Sequence, residues 1–170
     1  VYGKGSKFTV SIDQRIVKNP TIKVDAPVVK NDDIKVNNKL VLVVDDNKIN
    51  LKVAERLLGT YGITTECVES GFICIDNLKN GKKYDLILMD DMMPRMSGVE
   101  TLQKIKVEIP EFDIPVIALT ANALTGMREK YLADGFNDYL AKPINKDELN
   151  RVINEYLNKE WYHEGCKYFN

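Results

Sequence analysis

Histidine is almost missing from this chain. The single one, His163, stands in a polar stretch near the C-terminal end. A Ser-His-Asp triad, a multi-histidine zinc site or a histidine proton relay needs more of them, or needs them elsewhere. Read by itself, His163 is a solvated surface residue. Cysteine is scarce too. Cys67, Cys74 and Cys166 are an odd number without metal-binding spacing, which reads as reduced thiols in a cytosolic protein. No apolar run of about 18 residues occurs, so no segment is expected to span a membrane. The opening VYGKGSKF offers neither the charged nor the apolar region of a signal peptide, and the absent initiator methionine predicts a piece of a longer protein. A strong excess of one charge is also lacking, with 24 basic and 25 acidic residues in 170. Residues 1–39 are net basic and residues 40–170 net acidic. A net-acidic main body argues against general nucleic-acid binding.

What is present is ordinary globular material, 44% hydrophobic and 29% charged, enough for one domain and an appendage. Phe8 to Ile12 alternates like a strand. Residues 13–38 hold Asn19-Pro20, Ala26-Pro27 and Asn31-Asp32-Asp33, which favour turns and extended backbone, and are expected to be a linker. From Leu40 the pattern changes. Leu40–Val44, Asp85–Met89 and Ile114–Leu119 are apolar runs suited to strands buried on both faces, with Ile63–Val68 and Asn137–Ala141 as two further strands. Between them lie helical patterns. One is capped by Asn47 and carries Ile49, Val53, Ala54, Leu57, Leu58 and Tyr61; the others run from Ser70, Gly98, Asn122 and Asn145. The last has Asp147 and Glu148 in its first turn and a face of Leu149, Val152, Ile153, Tyr156 and Leu157. Five such units in about 120 residues predict an α/β fold, a doubly wound five-stranded parallel sheet with helices on both faces. Its site lies at the carboxyl ends of the strands.

Asp45 and Asp46 follow the first strand, Asp90 and Asp91 the third, Thr120 the fourth, and Lys142-Pro143 the fifth. Each alone has an ordinary explanation as a turn residue, a helix cap or a surface lysine. In the strand order 2-1-3-4-5, however, the first and third strands are neighbours, and three carboxylates meet in one cleft. Such a cluster calls for counter-charge. Oxygen-only ligands point to Mg²⁺, with the Lys142 ammonium as the second cation. A carboxylate so placed can be the nucleophile of phosphoryl transfer, a reaction that needs positioning and charge neutralisation above all.

Val43-Val-Asp-Asp-Asn47, Leu86-Ile-Leu-Met-Asp90 with Met93-Pro94 and Gly98, Ala118-Leu-Thr-Ala121, and Asp138-Tyr-Leu-Ala-Lys-Pro143 together resemble the response-regulator receiver domain, over residues 39–158. The resemblance implies a flavodoxin-like three-layer sandwich. It implies Asp90 as phospho-acceptor, Asp46 and Asp90 as direct Mg²⁺ ligands with the Met92 backbone carbonyl, and Asp45 acting through a water. It further implies Thr120 moving to a phosphoryl oxygen, Tyr139 as the coupled aromatic switch, Lys142 paired with phosphate, and a cis Lys142–Pro143 bond. Asp91 departs from the family's usual apolar residue; it adds charge at the site or points to solvent. Ser97 replaces a common Asp. The methionines Met89, Met92, Met93 and Met96 read as core and loop filling.

Gly3 to Ile12 resembles the closing segment of a sensor histidine kinase ATPase domain. Residues 1–12 are then a stub, 13–38 a linker and 159–170 a tail. Kinase end, linker and receiver is the order of hybrid histidine kinases, and such a kinase is the parent the resemblance implies. Its partners would be a histidine kinase core and a histidine phosphotransfer protein. A dimer through the face of the fourth helix, fifth strand and fifth helix is a further expectation, with a cytoplasmic setting and no nucleic-acid or membrane contact. The fragment lacks an ATP site. Other readings are a phosphorylation-independent interaction module and a flavin protein, but the latter wants a Ser/Thr/Gly-rich phosphate cradle where Asp45-Asp46-Asn47 stands. An aspartyl-phosphate phosphatase wants a second Asp at position 92, which is Met.

Overall fold

The computed structural model describes residues 38–121 and 127–158, together with Thr9, Ser11, Lys35 and Val36. The chain divides into two units, Val1–Asn31 and Asp32–Asn170. Of the first, Thr9 and Ser11 are described, both exposed. The helix start at Asn122 and the tail with His163 and Cys166 lie outside the described residues, as do most of the expected terminal strand and linker.

Five apolar segments form strands: β1 (Leu40–Val44), β2 (Thr64–Val68), β3 (Leu86–Asp90), β4 (Val116–Thr120) and β5 (Asp138–Ala141). Five helices alternate with them: α1 (Lys48–Gly59), α2 (Gly71–Lys79), α3 (Gly98–Glu108), α4 (Met127–Asp134) and α5 (Lys146–Tyr156). All neighbouring strands are parallel and the order is β2-β1-β3-β4-β5, as the sequence predicts.

The reason is the two-sided burial of the central strands. Every residue of β3 and β4 is buried. Alternate side chains enter two cores. Val41, Val43, Leu88 and Leu119 meet α1 and α5 through Leu51, Leu58, Leu149 and Val152. Leu42, Val44, Met89 and Ala118 face the other way, toward Ile75, Leu102 and Tyr131 of α2, α3 and α4. Truncating one such side chain, Leu88→Ala for example, removes both transfer energy and packing, a loss of about 2–5 kcal/mol.

Helix starts are fixed locally. The side chains of Asn47, Ser70, Ser97 and Asn145 each accept a hydrogen bond from a backbone N–H of the turn they open. Ser97 and Glu100 complete a reciprocal capping box. The absence of a side chain at Gly98 is required by close approach. A Cβ there would sit 2.4 Å from the Asp90 carbonyl oxygen, so this glycine lets α3 begin against the end of β3.

Three expectations shift. The α1 pattern included Ile49 and Val53 among its apolar positions, yet these are 71% and 47% exposed, and Leu51 is buried instead. The α1 core stripe is therefore Leu51, Ala54 and Leu58, spaced three and four apart as a helical contact face demands. The linker expected through residue 38 meets the fold before its end. Val36 is buried among the core residues, and its N–H donates to the Tyr61 carbonyl at 2.8 Å. Finally, Asp90 and Thr120 are the last residues of their strands rather than the first beyond them, so their backbones are held by the sheet.

Candidate functional site

The switch point between β1 and β3 gathers the acidic residues. Asp45 follows β1 and is fully buried; Asp46 beside it is exposed. Asp90 ends β3 and is 6% exposed. One carboxylate oxygen from each of the three lies within 4.8 Å of the others. Lys142, just beyond β5, bridges two of them. Its Nζ is 2.6 Å from Asp45 Oδ2 and 2.8 Å from Asp90 Oδ1. The Lys142–Pro143 bond that follows is cis.

The two buried aspartates are held differently. Asp45 is fully engaged: Oδ1 accepts from the Asn47 N–H at 2.9 Å and from Asn50 Nδ2 at 3.1 Å, while Oδ2 accepts from Asn50 at 3.1 Å and from Lys142. Asp90 receives Lys142 and the Met92 N–H (3.3 Å) on Oδ1 alone; neither contact uses Oδ2. Burial pushes the Asp90 carboxyl above its ordinary value, Lys142 opposes that, and the charge on Asp45 adds to it. The site therefore has more negative charge than its one ammonium neutralises.

This donor set fits Mg²⁺. It is made of oxygens only, it converges, and exposed Asp46 leaves it open to water, which Mg²⁺ retains when bound. Beside it lies a pocket lined by Asn50, Val53, Pro143 and Ile144 with Asp45 and Lys142. Exposed Ile49, on α1, and Met92, two residues beyond Asp90, follow the acidic residues in the chain.

Thr120 and Tyr139 sit on the neighbouring strands β4 and β5. Thr120 is buried, and its Oγ1 lies 2.8 Å from the hydroxyl of Tyr131 on α4. Tyr139 is half-buried, with its ring stacked on Tyr131 at 6.2 Å between centroids. Asp91 points neither into the acidic cluster's ion pairs nor simply to solvent; it is half-buried and its Oδ2 accepts from Tyr131 at 2.7 Å.

Of the side chains singled out from the sequence, Asp45, Asp46, Asp90, Thr120 and Lys142 thus lie at the carboxyl ends of the strands, while Tyr139 sits near the start of β5. Two that matter were not singled out. Asn50 carries a signal: it is a polar residue on the first turn of α1, five positions after Asp45, where a helix turns it back toward the strand end. Tyr131 carries none, being one aromatic in a mixed helix. Cys67 and Cys74 are free thiols, and burial pushes Cys74 up to about 12, which leaves it unreactive. Among the described residues no helix is long and apolar enough to cross a membrane.

Comparison with known proteins gives the family and the fold. The family model of the response regulator receiver domain matches residues 41–154. The chain is similar to the signal transduction histidine-protein kinase BarA of Escherichia coli, 40% identical over 116 residues, which are 68% of this chain and 12% of that one. Its structure is similar to the receiver domain of the sensor histidine kinase PA1611 from Pseudomonas aeruginosa, solved with a magnesium ion coordinated in the active site cleft. The TM-score is 0.62 with 37% identity, over 71% of this chain and 98% of that one. It is similar also to a chain of the complex between the Saccharomyces cerevisiae histidine phosphotransfer protein Ypd1 and the receiver domain of its response regulator Ssk1, at TM-score 0.63 and 27% identity, over 79% of this chain and 97% of that one. The chain spans about an eighth of the length of the curated relatives it matches.

Proposed function

This chain belongs to the response regulator receiver domain family, and from that premise we propose that Asp90 accepts a phosphoryl group from a phosphohistidine. The observation that carries this reading is the single ammonium of Lys142 shared between Asp45 and Asp90 at 2.6 and 2.8 Å, beside a third carboxylate. Such an arrangement is short of positive charge until ligands arrive.

Asp90 Oδ2, the oxygen that neither Lys142 nor Met92 contacts, is the nucleophile. It bonds to phosphorus as the P–N bond to the donor imidazole breaks, and the electron pair of that bond stays with the departing ring. Asp46 and Asp90 would hold Mg²⁺ with the Met92 carbonyl, and Asp45, already engaged by Asn47, Asn50 and Lys142, would act on it through water. Bound there, the metal would supply charge neutralisation for the phosphoryl oxygens. Lys142 gives up part of its contact with Asp45 to pair with the new phosphoryl group. Thr120 donates its hydroxyl to a phosphoryl oxygen, and Tyr139 changes rotamer into the space released.

The parent is a hybrid histidine kinase, with residues 1–12 as the end of its ATPase domain, 13–38 as a linker whose last residues pack on the receiver through Val36, and 159–170 as a tail. Its receiver works in the cytoplasm with the kinase core and a histidine phosphotransfer protein, the latter meeting the exposed apolar rim of Ile49 and Val53 on α1. A second copy pairs through the α4–β5–α5 face.

The test is incubation with a small phosphodonor and Mg²⁺, read by intact mass and peptide mapping. An adduct on Asp90 that disappears in Asp90→Asn is expected. No adduct on the unaltered chain would favour a phosphorylation-independent interaction module.

A further inference from the structure

The residue after the acceptor, Asp91, is fastened on both sides. Its N–H donates to the Leu119 carbonyl at 3.0 Å, and its own carbonyl accepts from the Gly98 N–H at 3.0 Å. Its side chain therefore has a fixed origin, one residue from Asp90. That side chain reaches α4, where Oδ2 lies 2.7 Å from the Tyr131 hydroxyl. Tyr131 is 1% exposed, and the same hydroxyl lies 2.8 Å from Thr120 Oγ1.

A phenol has one proton to give. The carboxylate cannot donate, so the phenolic proton goes to Asp91, and the Thr120 hydroxyl donates to the phenol oxygen. Burial, reinforced by the neighbouring charge of Asp91, pushes Tyr131 up to about 12, so the phenol keeps that proton at any physiological pH. The result is a directed series from Thr120 to Tyr131 to Asp91, closed at its end by a charged acceptor, the stronger kind of hydrogen bond. The Tyr131 ring is held as well. It meets Phe136 edge-on at 5.8 Å and stacks on Tyr139 with 21° between the planes.

Both members of the proposed switch are thus tied to one side chain. Thr120 directs its proton toward the Tyr131 hydroxyl on α4, and Tyr139 rests against the ring of the same tyrosine. We propose that Asp91 and Tyr131 form a latch that holds Thr120 and Tyr139 in the resting arrangement, with Asp91 a positioning residue that sets how readily phosphorylation switches the domain. The inference rests on the receiver switch described above. It gives Asp91 a role that depends on its carboxylate, and it places the resistance to switching in a contact between the β3–α3 junction and α4. Breaking the latch shifts the population toward the switched state before any phosphate arrives.

The experiment uses the 170-residue chain with Mg²⁺ and the phosphoryl mimic beryllofluoride, followed by amide and aromatic NMR. Tyr131→Phe keeps the ring and removes the hydroxyl, Asp91→Ala removes the acceptor, and Asp91→Asn keeps an acceptor oxygen. In Tyr131→Phe and Asp91→Ala, the Thr120 and Tyr139 resonances of the mimic-free protein should move toward their beryllofluoride-bound positions. Apparent affinity for the mimic should rise about tenfold, the scale of one ordinary hydrogen bond. Asp91→Asn should stay closer to the unaltered chain than Asp91→Ala does. If both disrupting variants bind the mimic as the unaltered chain does and leave Tyr139 where it was, the latch is wrong. That result differs from an unaltered chain in which beryllofluoride moves neither Thr120 nor Tyr139; this would overturn the switch reading itself, and the latch with it.

Discussion

Two carboxylate clusters lie at different places on the same sheet, and they are built to opposite ends. On β2, Glu66 accepts from Lys82 at 2.7 Å, from Asn77 at 3.0 Å and from the Tyr84 hydroxyl at 3.1 Å. The Lys82 hydrogen bond, with help from the other two donors, holds its carboxyl below the ordinary value despite partial burial. At the ends of β1 and β3, Asp45 and Asp90 share one lysine beside Asp46, and burial raises Asp90. The first cluster is satisfied by its own chain and ties β2 to α2 and the segment before β3. The second leaves a deficit of positive charge that only something from outside can correct. A fold that supplies three donors to Glu66 has the means to satisfy carboxylates; at the strand ends the fold gives Asp45 four contacts and leaves Asp90 half open. That contrast separates a cluster that stabilises from one that binds.

The comparison breaks most sharply at Asp90 itself. Asp90→Asn should remove the phosphoryl adduct altogether, and a mass spectrum that still shows it would place the acceptor elsewhere. Next is the metal. Asp46→Ala should weaken Mg²⁺ binding by about tenfold or more, roughly 1.4 kcal/mol, since a hard divalent cation held by few carboxylates loses one of them. Calorimetric titration against the unaltered chain reads this, and equal affinities would remove Asp46 from the ligand set.

Stability supplies the third and subtler contrast, because the two clusters should respond with opposite signs. In chelator, Asp90→Asn should stabilise the fold by about 1–2 kcal/mol, since it removes a buried, under-compensated charge. The sign with pH follows from the raised Asp90. The folded chain binds that proton more tightly than the unfolded chain does, so its stability falls as pH rises toward and through the folded-state value. The advantage of Asp90→Asn should therefore grow as pH rises through that range and shrink on acidification. Excess Mg²⁺ should stabilise the unaltered chain as well, by binding only the folded state. A melting temperature lower in Asp90→Asn than in the metal-free unaltered chain would contradict the charge deficit.

The smallest effect belongs to Glu66. Glu66→Gln should lower stability by about 0.5–1 kcal/mol near neutral pH, the range of a partly exposed pair. Its carboxyl is lowered in the fold, so this contribution is present in full above the unfolded value. It is lost as pH falls through the folded one, which lies below the ordinary carboxylate value. The cost of Glu66→Gln should accordingly fade in acid. Unfolding curves at two pH values decide it, and a cost that grows in acid would reverse the assignment.

Much of this was legible before any coordinates. The strands β1, β3 and β4 announce themselves because burial on both faces leaves them apolar without interruption, and the caps Asn47, Ser70 and Asn145 mark the helix starts. The strand-end rule then brings Asp45, Asp46, Asp90, Thr120 and Lys142 together. What was not legible depends on which way a side chain faces across elements. Ile49 and Val53 fit a helical repeat as well as Leu51 does, and periodicity alone does not say which of two overlapping stripes meets the sheet. Asp91 was open between cluster and solvent because its partner, Tyr131, is 40 residues away. Asn50 faces Asp45 only once a helix places it one turn beyond the strand end. Val36 joins the core from a stretch whose prolines and acidic turns read as linker.

The most direct test of the central claim, that the strand-end cluster is completed by a phosphoryl group and Mg²⁺ arriving together, is transfer from a radiolabelled phosphohistidine phosphotransfer protein, followed on a gel. The label should move to the chain when Mg²⁺ is present, stay on the donor when the metal is chelated, and stay there also with Asp90→Asn. Transfer that proceeds equally with chelator, or to Asp90→Asn, would contradict the account.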